Sequence, residues 1–290
     1  MKPAPFSYHR PRSLAEALAL LAERGAEAKL LAGGQSLGPM LNMRLVQPAH
    51  LVDLNAVPGL DDIRDAGEAI EIGALVRHDQ LAGSALVRSA CPLLGEAAQS
   101  IGHYAIRQRG TLGGSLAHAD PAAQLPLVAV ALGAEIAIAG PRGERRLPAW
   151  KFFVSLMETA LAADEIVVSA RVPKLAPGEG YAYLQFSRRQ GDFAIVAIAA
   201  TLRLDAAGRV ARLRLAVGAV EAVPVSLDAL GERSKGRAAD ASWANELAAA
   251  ARTALEPTES PRVPAVYRSE LVGVLTRRAL LQALARATRE

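Results

Sequence analysis

The stretch that decides the fold of this chain is Gly110-Thr111-Leu112-Gly113-Gly114-Ser115-Leu116-Ala117-His118-Ala119-Asp120-Pro121. Its double glycine, Gly113-Gly114, is followed directly by Ser115, and Thr111 lies two residues before it. Glycine pairs permit positive φ angles and lack the Cβ that hinders close approach, so successive backbone N–H groups can converge on an anion. An earlier segment, Leu31-Ala32-Gly33-Gly34-Gln35-Ser36-Leu37-Gly38-Pro39, has the same character. Two such loops in one domain predict a site that binds a pyrophosphate from two sides.

Each loop taken alone also fits an ordinary tight turn, and on the residues alone that interpretation stays open. Two familiar phosphate-binding patterns are absent, because the chain has no Gly-x-x-x-x-Gly-Lys-Ser/Thr and no Gly-x-Gly-x-x-Gly. The paired loops therefore favour a dinucleotide bound by a different route.

The composition narrows the classes of protein that remain. With 290 residues, 51% hydrophobic and 21% charged, the chain can bury the cores of two domains. Its one cysteine, Cys91, excludes an iron–sulfur centre, a disulfide framework or a cysteine-built zinc site held by this chain. The five histidines include no His-x-x-x-His pair, so no metal site is predicted.

Charge and hydropathy exclude two further classes. The net charge is only +4, basic residues are scattered, and aromatic residues make up 4%, so a nucleic-acid surface is not expected. No run of ~18 apolar residues occurs, so a transmembrane segment is not expected either. The sequence predicts a cytoplasmic protein.

Hydrophobic periodicity and turn residues predict an interleaved first part and a distinct second part. The turn-rich residues 175–180 are the expected domain boundary. The predicted strands are residues 28–32, 51–54, 69–73, 135–139, 181–187, 195–204 and 210–218. The predicted helices are a capped one from Leu14 to Gly25 and residues 93–101, 126–132, 226–231, 241–255 and 267–287. The last two predicted strands read as an antiparallel hairpin.

Over nearly its whole length the chain resembles the FAD-binding medium subunit of molybdenum hydroxylases, the carbon monoxide dehydrogenase and xanthine dehydrogenase family. The two glycine loops, in this order and at this spacing, make the resemblance specific. The other matching segments are Phe6-x-Tyr8-x-x-Pro11-x-Ser13, residues 72–78, residues 161–166, Ser187-Arg188-Arg189-x-Gly191-Asp192-Phe193-Ala194 and Tyr267-Arg268.

The resemblance implies an α+β protein of two domains. Residues 1–175 would form an FAD-binding domain of two α/β subdomains, about 1–58 and 59–175, of the p-cresol methylhydroxylase-like kind. Residues 176–290 would form the C-terminal domain of the family's flavoprotein, with a three-stranded antiparallel sheet and helices.

The resemblance also implies a set of residues that hold non-covalent FAD, and no catalytic side chain. The pyrophosphate and ribityl would be held mainly through backbone N–H groups of Ala32, Gly33, Gly34, Gln35, Ser36, Leu37, Thr111, Gly113, Gly114 and Ser115. Asp120, Gln124, Leu161 and Phe193 would lie near the cofactor, with Ile101 a weaker match. Two positions depart from the family: Gln124 stands where many relatives have an acid, and Gln185 where bacterial relatives often have lysine. FAD binding is still expected, with its tightness left open.

The function implied is electron transfer within a heteromeric complex. Electrons would pass from 2Fe–2S clusters in a small subunit through FAD in this chain to an external acceptor. A large subunit would hold molybdopterin, and the assembly would be a dimer of heterotrimers, with association to a membrane only through the complex. Two alternatives remain open: a stand-alone FAD-dependent oxidase and a non-catalytic nucleotide-binding protein. Neither the substrate nor the acceptor can be named from the sequence.

Overall fold

The computed structural model describes residues 2–287; Met1 and the last three residues, 288–290, lie outside the described part. Helices and strands are mixed throughout, and the α+β prediction is confirmed. Three sheets, of three, five and four strands, each pack against helices, and a separate two-stranded hairpin completes the fold.

The first subdomain is built on a small parallel sheet. Its elements are β1 (Ser7–His9), α1 (Leu14–Arg24), β2 (Ala28–Leu31), α2 (Leu37–Asn42) and β3 (His50–Asp53). The strand order is β1-β3-β2, and both pairs are parallel. The hydroxyl of Ser13 caps α1 by accepting from Glu16 N at 3.1 Å, as the sequence predicts. Because parallel strands end at the same edge, the segments that follow β2 and β3 lie side by side.

The second subdomain contains a fully antiparallel five-stranded sheet in the order β4-β5-β10-β6-β7. The strands of this sheet are β4 (Ile63–Asp65), β5 (Ala69–Gly73), β6 (Glu135–Gly140), β7 (Gly143–Pro148) and β10 (Ile166–Pro173). The separate hairpin of the subdomain consists of β8 (Phe153–Ser155) and β9 (Glu158–Thr159). Its helices are α3 (His78–Gly83), α4 (Ala85–Ala90), α5 (Pro92–Gln99), α6 (Tyr104–Arg107), α7 (Leu112–His118), α8 (Gln124–Leu132) and α9 (Ala149–Phe152). All nine residues of α8 are buried, so this helix is the centre of the main core.

The C-terminal part is an antiparallel meander, β11-β12-β13-β14, packed against helices. Its elements are β11 (Gly180–Phe186), β12 (Val196–Leu204), β13 (Val210–Gly218), β14 (Val225–Ser226), α10 (Asp228–Ser234), α11 (Ala241–Thr253) and α12 (Ala265–Ala287). The three long strands match the expected sheet, and β14 adds a two-residue edge. Since β14 occupies residues 225–226, α10 begins later than the sequence predicts.

Polar contacts fix the start of β11 within the C-terminal part and join α12 to the second subdomain. The Glu179 carboxylate is fully buried and accepts from Arg212 Nη2 at 2.9 and 3.0 Å and from Ala176 N at 3.0 Å. Arg286, near the end of α12, pairs with Glu96 on α5 at 2.9 Å and donates to Tyr181 O at 3.0 Å. Fixed contacts of this kind hold the two parts in one orientation.

In the part of the chain that the structure describes, no helix is both long and apolar enough to cross a membrane. Within residues 2–287 there is also no group of three or more His, Cys, Asp or Glu side chains that could hold a metal ion.

Candidate functional site

The first glycine loop, residues 32–37, runs from the end of β2 into α2. Gly34 adopts a left-handed φ of +68°. The five successive backbone N–H groups from Gly33 to Leu37 have no hydrogen-bond partner among the described residues. The Gln35 side chain folds back, and its Nε2 donates to Gly33 O at 3.1 Å. A run of free backbone donors at a left-handed glycine is an arrangement suited to binding an anion.

The second glycine loop, residues 111–115, is built differently. Thr111 caps α7, with its Oγ1 accepting from Gly114 N at 3.1 Å. The N–H groups of Leu112, Gly113 and Ser115 donate to Val76 O at 2.9 Å, Ala74 O at 2.8 Å and Thr111 O at 3.0 Å. Four of the five N–H groups in this loop are thus occupied within the described residues, and the role predicted for the loop stays a prediction. What it offers are hydroxyls, and the half-buried Ser115 hydroxyl has no partner among the described residues.

The two loops touch each other. A Cβ on Gly33 would lie 2.2 Å from Arg109 O and 2.8 Å from Gly110 Cα, so only glycine permits this approach. A Cβ on Gly114 would lie 4.0 Å from the Ala32 Cβ but 2.7 Å from Thr111 Oγ1. The structure thus brings together the two segments that the sequence singled out, although they belong to different subdomains.

A polar network behind the loops was not foreseen from the sequence. Asn55, in the turn after β3, donates from Nδ2 to Ala32 O at 2.9 Å and accepts at Oδ1 from Arg77 Nη2 at 2.5 Å. Arg77 Nη1 also donates to Arg109 O. Asp53 orients Asn55 by accepting from its backbone N at 2.9 Å, and Tyr8 OH donates to the other Asp53 oxygen. Burial disfavours the Asp53 carboxylate, but the bonds from Tyr8 and Asn55 outweigh it and hold the pKa below its usual value.

The His78 side chain contacts the backbone of the second loop. The side chain is buried, and its Nε2 lies 2.9 Å from Thr111 O. Burial lowers the pKa of His78 to about 4, so the ring is neutral at pH 7 and Nε2–H is the donor. His78 ends the segment 72–78 that matches the family, but the sequence does not show its role, because that role depends on a contact 33 residues away.

Asp120 shapes the turn that joins the second loop to α8. Its Oδ1 accepts from Ala122 N at 2.8 Å, which leaves its other oxygen without a hydrogen bond among the described residues. Leu161 follows the β8–β9 hairpin and packs against the core of the second subdomain.

The two positions that depart from the family meet in the structure. Gln124 Nε2, at the start of α8, donates to Gln185 Oε1 on β11 at 3.1 Å. Tyr183 OH donates to the same oxygen at 2.7 Å, and its burial raises the pKa of the phenol. A neutral pair therefore occupies the place where the family pattern suggests an acid and a lysine.

A cleft of about 430 Å³ opens beside this pair, between the end of α5 and the loop after β11. It is lined by Gln99, Ser100, Gly102, Arg107, Gln185, Ser187, Gln190 and Gly191. Phe193 follows directly in the same loop and is 68% exposed, which is unusual for an aromatic with a core role.

The structure does not support a hydrolase nucleophile at the first glycine loop. Residues Gly34-Gln35-Ser36-Leu37-Gly38 have the Gly-x-Ser-x-Gly spacing of a hydrolase nucleophile and lie between a strand and a helix. Within the described residues, however, the Ser36 hydroxyl has no hydrogen bond to a histidine or a carboxylate that would activate it.

Both parts of the chain match known protein families. Residues 4–175 match the FAD binding domain in molybdopterin dehydrogenase, and residues 181–283 match the CO dehydrogenase flavoprotein C-terminal domain. The chain therefore belongs to the family of FAD-binding medium subunits of molybdenum hydroxylases, and the predicted resemblance is confirmed.

Individual relatives align over the whole chain. The carbon monoxide dehydrogenase medium chain of Hydrogenophaga pseudoflava is 40% identical over 99% of both chains. The 6-hydroxypseudooxynicotine dehydrogenase complex subunit alpha of Paenarthrobacter nicotinovorans is also 40% identical, over 99% of this chain and 97% of the relative. Among solved structures, carbon monoxide dehydrogenase from H. pseudoflava lacking the Mo-pyranopterin moiety of its cofactor superposes with a TM-score of 0.96 at 39% identity, covering 99% of both chains.

The chain is thus an oxidoreductase subunit with FAD as its cofactor, and the residues present fit that cofactor. The five free N–H groups of the first loop suit the pyrophosphate, and the absent Cβ of Gly33 lets the two loops pack directly against each other. Cys91 is fully buried, and burial raises the pKa of its thiol to about 12, which excludes it as a reactive attachment point.

Proposed function

We propose that this chain holds FAD between the 2Fe–2S clusters of a small partner subunit and an external electron acceptor. The observation that carries the proposal is the row of five unpartnered N–H groups at Gly33–Leu37, packed against a second loop that presents hydroxyls. The single cysteine supports the division of labour, because this chain lacks the thiolates that an iron–sulfur cluster requires.

Each loop would contribute a different kind of hydrogen-bond donor to the pyrophosphate. In the proposal, the backbone of residues 33–37 supplies the donors for the phosphate oxygens, and Ser36 adds a hydroxyl. Thr111 and Ser115 approach from the opposite side with hydroxyls, while His78 and the α7 cap keep that loop rigid. Donors that are fixed before the ligand arrives need no reorganisation on binding.

The rest of the cofactor would extend from the loops in two directions. We place the isoalloxazine in the cleft of about 430 Å³ between α5 and the loop after β11, where Phe193 can cover one face. Asp120, Gln124 and Leu161 remain the proposed contacts for the adenosine part and its surroundings. When bound, FAD supplies the redox chemistry, whereas the protein supplies binding, orientation and electrostatics.

The partners follow from the kinds of complex in which the relatives occur. One relative is named as a medium chain and another as a subunit of a dehydrogenase complex, and both align with this chain from end to end. We propose a large molybdopterin subunit and a small 2Fe–2S subunit, assembled with this chain as a dimer of heterotrimers. Such a complex is active in the cytoplasm or at a membrane that it reaches through its partners.

The test is to measure flavin content and flavin reduction with and without partners. The purified full chain should be yellow, and acid precipitation should release FAD into the supernatant. Dithionite should bleach it, whereas the substrate of the native complex should bleach it only when the partner subunits are present.

Each alternative predicts a different outcome. A stand-alone oxidase would show substrate-driven bleaching by this chain alone. A non-catalytic nucleotide-binding protein would be purified without colour and would not take up FAD. Flavin that stays in the acid pellet would contradict non-covalent binding.

A further inference from the structure

The two glycine loops belong to different subdomains, and one side chain bridges them. Arg77 pairs with Thr111 in an isolated antiparallel bridge, so its backbone is part of the second loop's support. Its guanidinium reaches across to the first subdomain, where Nη2 donates to Asn55 Oδ1 at 2.5 Å. Nη1 donates to Arg109 O, the carbonyl against which Gly33 packs.

Asn55 completes the bridge from the other side. Its Nδ2 donates to Ala32 O at 2.9 Å, directly before the free N–H groups of the first loop. Asp53 fixes the Asn55 side chain by accepting from its Nδ2 at 2.5 Å, and Tyr8 in turn holds Asp53. A chain of hydrogen bonds thus runs from β1 through Asp53 and Asn55 to both loops.

The Arg77 guanidinium links two segments through neutral oxygen acceptors and does not form an ion pair. Its guanidinium bonds to an amide oxygen and a carbonyl oxygen, and no carboxylate lies within hydrogen-bond distance of it in the described residues. Two separate nitrogens in a rigid planar fork reach two oxygens on different segments, a fixed geometry that the single ammonium of a lysine does not supply. The positive charge also lies close to the place where the pyrophosphate would bind.

We propose that Arg77 and Asn55 are positioning residues that set the separation of the two glycine loops and thereby the affinity for FAD. Neither touches the free N–H groups itself; both act through the carbonyls of Ala32 and Arg109. The inference rests on the proposed function, since it takes the two loops to hold the pyrophosphate together.

The experiment measures the FAD dissociation constant of the deflavinated full chain by flavin fluorescence, for the wild type and four variants. Arg77→Lys keeps the charge but loses the fork, and Asn55→Ala removes the link from the other side. Each should weaken FAD binding by about 10- to 100-fold, as expected for lost hydrogen bonds to a charged group. The double variant should bind FAD no more weakly than the weaker-binding of the two single variants, because both changes break the same bridge between the loops.

The matched control is Arg146→Lys, which disturbs another half-exposed arginine, paired with Glu71 at 3.2 Å on the sheet of the second subdomain. It should leave FAD affinity within about twofold, because a surface ion pair contributes little. The melting temperature of each flavin-free variant is measured in parallel. The proposal expects the loss of FAD affinity in Arg77→Lys to exceed that in Arg146→Lys even where the two melting temperatures agree.

The outcomes separate the inference from the function on which it rests. FAD binding by Arg77→Lys as tight as by the wild type would overturn the inference, and so would additive losses in the double variant. Should Arg77→Lys fail to fold, Asn55→Ala tests the same bridge through the same titration. A wild-type chain that binds no FAD would overturn the proposed function itself.

Discussion

At the scale of single residues, His78 shows how a buried neutral side chain supports a ligand-binding loop. Its folded-state pKa of about 4 lies below the ordinary value of 6.5, because the buried ring is costly to charge. The unfolded chain therefore takes up a proton at a higher pH than the folded chain does. The contribution of His78 to stability is complete above pH 6.5 and is lost as the pH falls towards 4.

We expect the wild type to lose up to about 3 kcal/mol of unfolding free energy through this group between pH 7 and pH 4. His78→Gln removes the titrating ring, so its stability should depend less steeply on pH over that interval. Urea unfolding at closely spaced pH values measures the slope, with a variant of the exposed His103, His103→Gln, as the control. Equal slopes for the wild type and His78→Gln would show that the ring is not held neutral by the fold.

At the scale of elements, alternation and length predicted the strands best. Residues 69–73 and 210–218 form strands with the predicted bounds, and both are largely buried, with Glu71, Arg212 and Arg214 less buried than their apolar neighbours. The short helices α3, α4 and α6 were not predicted, since six residues or fewer carry too little periodicity. Helix α7 was hidden for another reason: it contains Gly113 and Gly114, which the sequence presents as a loop.

The candidate site was predictable only in part. The glycine loops are local patterns, so the sequence located both of them. Arg77 lies in the segment 72–78 that matches the family, but its contact with Asn55 spans 22 residues of chain and two subdomains, so the sequence could not show it. The free N–H groups of the first loop and the occupied ones of the second likewise depend on which segments pack beneath them. The domain bounds and the remaining site residues stay predictions.

The contact between α8 and β11 gives a prediction at the same scale. Gln124 is 7% exposed, so an unpaired charge there is costly. Gln124→Glu and Gln185→Lys should each destabilise the chain by about 2 to 4 kcal/mol. The double variant should regain most of that loss, because the two charges then pair. Urea unfolding of the four proteins measures the coupling, and additive losses would contradict a direct contact between the two side chains.

At the scale of the whole molecule, the fold of this chain serves to hold one cofactor. Three sheets and their helices place two glycine loops against each other, and a cleft continues from the second subdomain to the C-terminal part. The Arg286–Glu96 pair and the Gln124–Gln185 hydrogen bond join those two parts of the chain. The single cysteine is consistent with the proposal that iron–sulfur clusters are held by a partner subunit.

The central claim is that the backbone of the first glycine loop binds the pyrophosphate of FAD, and the most direct test is FAD titration of Gly34→Ala beside Gly38→Ala. Gly34 has a φ of +68° and a prospective Cβ only 3.2 Å from the Leu31 side chain, so alanine should distort the free N–H groups at a cost of about 1–3 kcal/mol. Gly38 has open space around its prospective Cβ and lies in α2. The account predicts FAD binding that is weakened by about 5- to 100-fold in Gly34→Ala and unchanged in Gly38→Ala. Equal FAD affinity in both variants would contradict it.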